Sequence, residues 1–225
     1  MIGSINTKVI LTDEPLLRAG EPAPVMTFGR AGRTISVPAR IEGPDAAGRM
    51  NFAPENAHLT ANVVGILRAM EAGLRITMIA AADEDWGIGV EGRLPWRNAN
   101  DLRHFRQRTL GRHLLMGRTT FEGLPKTLDG RTIHVLSRGG PEHLTSVDRA
   151  IHSLLPAVQD EIVVAGGAKV YEQALPFCTH AEITRIPGTH GCDAFMPDLR
   201  AAGWTLAATE TLADDITIEH WERQK

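Results

Sequence analysis

From residue 75 onward, short apolar runs alternate with stretches of helical spacing, and that alternation leaves few folds open. The runs are residues 75–82, 112–117, 132–137, 161–165 and 180–186. Between them fall a helix opening near Asp101, with Leu102, Phe105 and Leu110 near helical spacing, and a short helix through Thr120 and Leu124. A helix from Val147 to about Leu155 and another through Val170, Tyr171 and Ala174 follow. Strands alternating with helices predict a central, mostly parallel α/β sheet with helices on both faces. Two last β-prone stretches, around residues 204–206 and 216–221, have no helix between them and predict an antiparallel C-terminal edge strand.

Residues 1–74 read differently. They are rich in Gly, Pro, Ala and Arg, with β-like runs at residues 8–12 and 33–37. Residues 57–72 predict an amphipathic helix, with Leu59, Val63, Val64, Leu67 and Met70 stepping by three and four, and Gly73 placed to end it. No chemical motif falls here. The segment is an N-terminal extension of unassigned role and unknown partner: a packed appendage, a partly ordered arm, or the product of a start codon placed upstream of Met70 or Met78.

Bulk composition excludes several classes. A hydrophobic content of 43% against 23% charged residues is enough to build an ordinary globular core. A net charge of −3 gives no electrostatic footprint for nucleic acid. Cys178 and Cys192 form neither a disulfide framework nor a zinc pattern, so no metal site is expected. No apolar stretch approaches the roughly 20 residues that span a bilayer, and residues 1–8 lack a signal-peptide pattern. The default expectation is a cytoplasmic protein without a membrane.

Three strand ends carry residues suited to phosphate. Gly117-Arg118-Thr119-Thr120 follows one strand, Ser137-Arg138 another, and Gly166-Gly167-Ala168-Lys169-Val170-Tyr171 a third. Glycines let backbone approach a ligand, and hydroxyls, guanidinium and ammonium groups suit a pyrophosphate or an extra ribose phosphate. Each alone is equally a tight strand-to-helix turn or a solvated charge. In open α/β sheets, ligands bind at the carboxyl ends of the strands. The long loop 85–96, with Gly87, Gly89 and Gly92 and an apolar tip of Ile88, Val90 and Leu94, has the make-up of a lid. Asp101 follows it in Leu94-Pro95-Trp96-Arg97-Asn98-Ala99-Asn100-Asp101-Leu102-Arg103-His104-Phe105. It is either a helix N-cap or a lone acid in an apolar pocket, where a carboxyl group can hold a proton near neutral pH.

Taken in order, these motifs resemble dihydrofolate reductase over about residues 75–225. They are Ile79-Ala80-Ala81, Gly87-Ile88-Gly89, Leu94-Pro95-Trp96, Asp101-Leu102 with Phe105, residues 116–122, 128–131, 135–138 and 165–171, Thr184, and residues 192–197. The resemblance implies NADPH-dependent reduction of 7,8-dihydrofolate to tetrahydrofolate, the carrier of one-carbon metabolism. It implies that Asp101 orients the pterin and promotes protonation of N5 through water, that Thr184 bonds Asp101, and that Trp96 orders a bridging water. Ile79, Leu102, Phe105, Leu124 and Lys126 would contact the substrate, and Arg131 would grip its glutamate tail. Ala81, Gly87, Ile88, Gly89, Arg93, Leu94, Arg118, Thr119, Thr120, Ser137, Arg138 and residues 166–171 would line NADPH. The family likeness also implies a monomer.

The sequence departs from the family pattern in places. Lys126 stands where many bacterial members carry Arg, and Ala165 and Ala168 flank the glycine pair. Two alternatives share some of these features. One is the pyrimidine reductase of riboflavin biosynthesis, which lacks the Trp96-to-Asp101 spacing together with Thr184 and Arg131. The other is a reductase-like binding module without activity.

Overall fold

The computed structural model describes residues 6–9, 25–30, 33–44, 50–54, 57–124, 128–137, 146–213 and 216–223. The chain divides into two compact units, one reaching to Ala72 and the other running from Gly73 to Gln224.

The first unit holds an antiparallel four-stranded meander: β1 (Asn6–Val9), β2 (Val25–Arg30), β3 (Arg33–Pro44) and β4 (Met50–Pro54). Helix α1 (Ala57–Glu71) follows, and Gly73 takes the left-handed conformation that glycine adopts without penalty. Val63, Leu67 and Met70 are buried, as their spacing predicts. Leu59 and Val64 lie outside the described side chains. β2 and β4 are additions to the sequence reading. Their Gly- and Pro-containing stretches lack the strict alternation that announces a strand.

The second unit is built on a seven-stranded sheet. Its strands are β5 (Arg75–Ala82), β7 (His113–Gly117), β8 (Thr132–Leu136), β9 (Glu161–Val164), β10 (His180–Arg185), β12 (Trp204–Ala213) and β13 (Ile216–Arg223). The order is β12-β13-β10-β5-β9-β7-β8. All pairs from β10 to β8 are parallel, and β13 alone runs against the rest, between β10 and β12. β5 and β9 read as continuous apolar runs because central parallel strands are buried on both faces. Short strands β6 (Gly87–Gly89) and β11 (Ala194–Phe195) pair antiparallel beyond the sheet.

Helices α2 (Ala99–Thr109), α3 (Arg118–Glu122), α4 (Val147–Leu154) and α5 (Ala168–Ala174) occupy the connections. α4 buries Val147, Ala150, Ile151 and Leu154, a spacing of three and four that makes one apolar stripe. Register fixes the face that carries the chemistry. Glu182 pairs with Ile79 and Thr184 with Ala81, so these four side chains share one side of the sheet. α2 lies on that side, with Phe105 packed on a cluster of Ile79, Leu114, Met116 and Val163. Among the described residues, no helix is long and apolar enough to cross a membrane.

Candidate active site

Asp101 is not the cap of its helix. Asn98 holds that position, its side-chain oxygen accepting the backbone N–H of Asn100 at 2.9 Å and of Asp101 at 3.0 Å. The Asp101 carboxyl group is therefore free to serve elsewhere. It is 7% exposed and accepts a hydrogen bond from the Thr184 hydroxyl across the α2–β10 seam. Burial pushes its pKa up from the ordinary 3.8, and the Thr184 bond and the nearby His104 charge offset part of that rise. A carboxyl group so placed holds a proton at a higher pH than a surface aspartate does.

The surroundings are apolar. Phe105, Leu124, Leu128, Ile133 and Ala165 pack around the Ile79 cluster. Leu102, one residue beyond Asp101, points about 100° further round the helix and stays 46% exposed. Tyr171, entirely within the core, donates its hydroxyl to the Ile79 carbonyl at 2.7 Å. Burial first, and then the charge of Asp101, pushes the Tyr171 pKa up.

Trp96 is half-buried, and its indole Nε1 is buried without a hydrogen-bond partner. Such a donor calls for a water or ligand acceptor, because an unmet buried N–H is costly. The ring meets His190 edge-on, with centroids 5.0 Å apart. The loop between β5 and Trp96 is tied at its base by Asp83, whose Oδ1 accepts the N–H of Gly87 at 2.8 Å and whose Oδ2 accepts that of His190 at 3.0 Å. Glu91 N–H donates to Asp193 Oδ2 at 2.8 Å. A Cβ on Gly87 would fall 2.6 Å from the Cys192 side chain, so the glycine is required for packing. Ile88 is half-buried, Gly89 buried, and Arg93 and Leu94 exposed.

Arg131 lies 5.8 Å above the Phe105 ring. Its Nε donates to the Thr109 hydroxyl at 2.8 Å, and its other nitrogens reach the Asp129 and Arg106 carbonyls at 3.3 Å. The guanidinium is thereby aimed by the turn before β8 and by α2. Lys126 and Arg138 lie outside the described residues.

The glycine-bearing strand ends converge. Gly117 N–H donates to the Gly166 carbonyl at 2.7 Å, linking the exits of β7 and β9. The Gly166–Gly167 peptide is cis, and Gly166 has φ +97°. A Cβ on Gly167 would meet the Thr120 hydroxyl at 3.0 Å, and one on Gly117 would meet Val170 at 3.2 Å. No side chain caps α3 or α5. Arg118 donates to the Ser137 hydroxyl, with Thr119 and Lys169 exposed and Thr120 and Ala168 half-buried beside them. Val170 and Tyr171 turn into the core, beneath this rim. The donor set of hydroxyls, guanidinium, ammonium and approachable backbone suits the phosphates of a dinucleotide. Ala81, paired with Thr184 on the same sheet face, is half-buried.

Sequence reasoning missed several members of the site. Asn98, Asp83 and His190 act through partners that only the fold supplies. A second set joins α2 to the sheet below Asp101. Arg108 donates to Glu161 at 2.8 and 2.7 Å and to Glu182 at 2.5 Å, and Thr77 donates to Glu161 at 2.6 Å. Burial alone would raise the Glu161 pKa, but the Arg108 and Thr77 bonds outweigh it and hold the carboxyl group low.

Known proteins share this architecture. The family profile described as "Dihydrofolate reductase" matches residues 75–222. The dihydrofolate reductase of Neisseria gonorrhoeae is 38% identical over 141 residues, covering 60% of this chain and 86% of that protein. Dihydrofolate reductase type 3 of Salmonella typhimurium is 36% identical over 147 residues, covering 62% and 90%. The Enterococcus faecalis dihydrofolate reductase, solved in complex with NADP(H) and RAB-propyl, superposes with a TM-score of 0.59 at 30% identity, over 67% of this chain and 97% of that one. With a family match over most of its length and relatives covered almost end to end, the chain belongs to the dihydrofolate reductase family.

Proposed function

We propose that Asp101 is the central acid of this enzyme, which reduces 7,8-dihydrofolate to 5,6,7,8-tetrahydrofolate with NADPH as its family does. One observation carries the assignment: a 7% exposed carboxyl group, relieved of capping by Asn98, bonded by Thr184 and walled by apolar side chains. When bound, NADPH supplies the hydride that goes to C6 of the pterin. The residues that would hold it are Gly117 to Thr120, Ser137 and Gly166 to Lys169, with Arg138 added on the sequence resemblance alone.

The protein's own work is alignment and the handling of one proton. Asp101 accepts from the amino group and N3 of the pterin and fixes its orientation. Thr184 holds the carboxylate in place. The unmet Nε1 of Trp96 donates to a water beside the ring, and the proton reaches N5 through water rather than from Asp101 itself. Phe105, Leu124 and Ile79 exclude bulk solvent from the ring faces. Arg131, steadied by Thr109 and Phe105, faces the glutamate tail with a planar fork suited to a carboxylate. Residues 75–225 form the reductase domain and residues 1–74 an extension of unassigned role. By family likeness the protein works as a cytoplasmic monomer.

The test is NADPH oxidation by the purified chain with dihydrofolate, and separately with a ribosylamino-pyrimidine. Turnover with dihydrofolate alone is expected. Turnover with the pyrimidine alone, or with neither, contradicts the proposal.

A further inference from the structure

His104 is a titratable side chain one helical turn beyond Asp101, on the same flank of α2. Its side chain is 16% exposed, and Nε2 lies 3.6 Å from Glu182 Oε2, within ion-pair reach but without a hydrogen bond. Glu182 stands two residues before Thr184 on β10, so both project to the same sheet face. The α2–β10 seam is thus a ladder. Thr184 meets Asp101 on the first rung, Glu182 meets His104 on the second, and Arg108 closes the third by bonding both Glu182 and Glu161.

We infer that His104 is a positioning residue for Asp101: its ring, one turn along α2 from Asp101 and 3.6 Å from Glu182, sets the field in which the active-site carboxyl group exchanges its proton. The inference rests on the reading of Asp101 given above and adds a second titrating group to it. The ionisable neighbours are few and identifiable. On α2 they are Asp101 and Arg108, on β10 Glu182 and His180, on β9 Glu161, on β13 Glu222, and on α5 Tyr171, whose hydroxyl feels the Asp101 charge. Arg75 at the start of β5 acts on Glu161, and His220 of β13, itself paired with Glu210 of β12, acts on Glu182. Arg108 carries its charge at every accessible pH, and its bonds already engage both glutamates. An imidazole is the side-chain type in this set whose charge can change between about pH 5 and 8.

A positive His104 favours the ionised form of Asp101 and so moves the protonation of the Asp101–pterin unit to lower pH. His104→Phe removes that charge while keeping an aromatic ring in the seam. His104→Lys makes the charge permanent across the working range. Single-turnover hydride transfer is measured from about pH 5 to about pH 9 in both variants. The falling limb is expected to move up by roughly half a pH unit or more in His104→Phe and down in His104→Lys. A role in packing alone would not move the two profiles in opposite directions. Shifts of the same sign, or no shift, overturn the inference.

Coupling between titrating groups is mutual, so a second measurement decides the matter even if a His104 variant fails to fold. The His104 ring is titrated by NMR in the wild-type chain and in Asp101→Asn. Its pKa is expected to fall in the variant, where the neighbouring negative charge is gone, and an unchanged value overturns the inference. A hydride-transfer profile that keeps its falling limb in Asp101→Asn would instead contradict the assignment of Asp101.

Discussion

Thr184→Val is the sharpest perturbation of the site, because it removes one hydroxyl and leaves the volume of a buried side chain nearly unchanged. Thr184 is 2% exposed, so no bulk water replaces the lost donor. Its bond is one of two influences that hold the Asp101 pKa down against burial. A hydrogen bond to a charged group contributes about 1.5–3 kcal/mol. With about 1.4 kcal/mol per pKa unit, and some of the bond surviving toward the protonated carboxyl group, an upward shift of roughly one unit follows. Reductase activity that needs a proton falls as pH rises through that midpoint, so the falling limb moves to higher pH. Stopped-flow single turnovers with saturating NADPH and dihydrofolate read the midpoint without interference from product release. A midpoint that stays put or moves to lower pH would refute the reasoning, since either result means that Thr184 does not act on Asp101.

Two further perturbations test the body of the reductase unit. Arg108→Met leaves the Glu161 carboxylate, whose side chain is 0% exposed, without its main partner; removing one member of a buried pair costs about 3–5 kcal/mol, so the urea midpoint should drop sharply, and a loss under about 1 kcal/mol would show that the seam is not held this way. Burial first, and then its stacked neighbour His113, holds the His134 pKa below the ordinary 6.5. The unfolded chain therefore takes up this proton at a higher pH than the folded one, so stability is lost as pH falls below about 6.5. His134→Leu should flatten that dependence, and urea melts at pH 5.5 and 7.5 that differ as much as in the wild type would contradict the argument.

The parallel sheet was legible because its period-free apolar runs and intervening helical patterns are local signals. Every strand from β5 to β13 except the short β6 and β11 was anticipated, although β12 extends to Ala213, well beyond the stretch around residues 204–206. Its exposed Ala and Thr residues pair with β13 across two register shifts and carry no apolar alternation of their own. In the site, Asp101 stood out in the sequence, but its freedom to act did not. That depends on Asn98 taking the capping bond, a choice between two cap-forming residues three positions apart that only geometry settles. The Arg108–Glu161 and Asp83–His190 contacts join residues 53 and 107 positions apart, and charge spacing along a chain cannot announce such pairs. Val170 and Tyr171 sit next to the glycine turn in sequence, yet the helix rotates both inward, where Tyr171 supports Ile79 from below.

The central claim is that one buried carboxyl group governs proton supply to the pterin. The most direct test is the pH dependence of the single-turnover hydride-transfer rate in the wild-type chain and in Asp101→Asn, with folding checked by urea melts. An acid whose folded pKa is raised costs stability above its unfolded value, so the variant should be at least as stable near neutral pH. The expected result is a wild-type rate that falls as pH rises through a midpoint above the ordinary carboxylate range, and a folded Asp101→Asn variant that is slow and without that limb. A variant that transfers hydride at the wild-type rate with the same profile would contradict it.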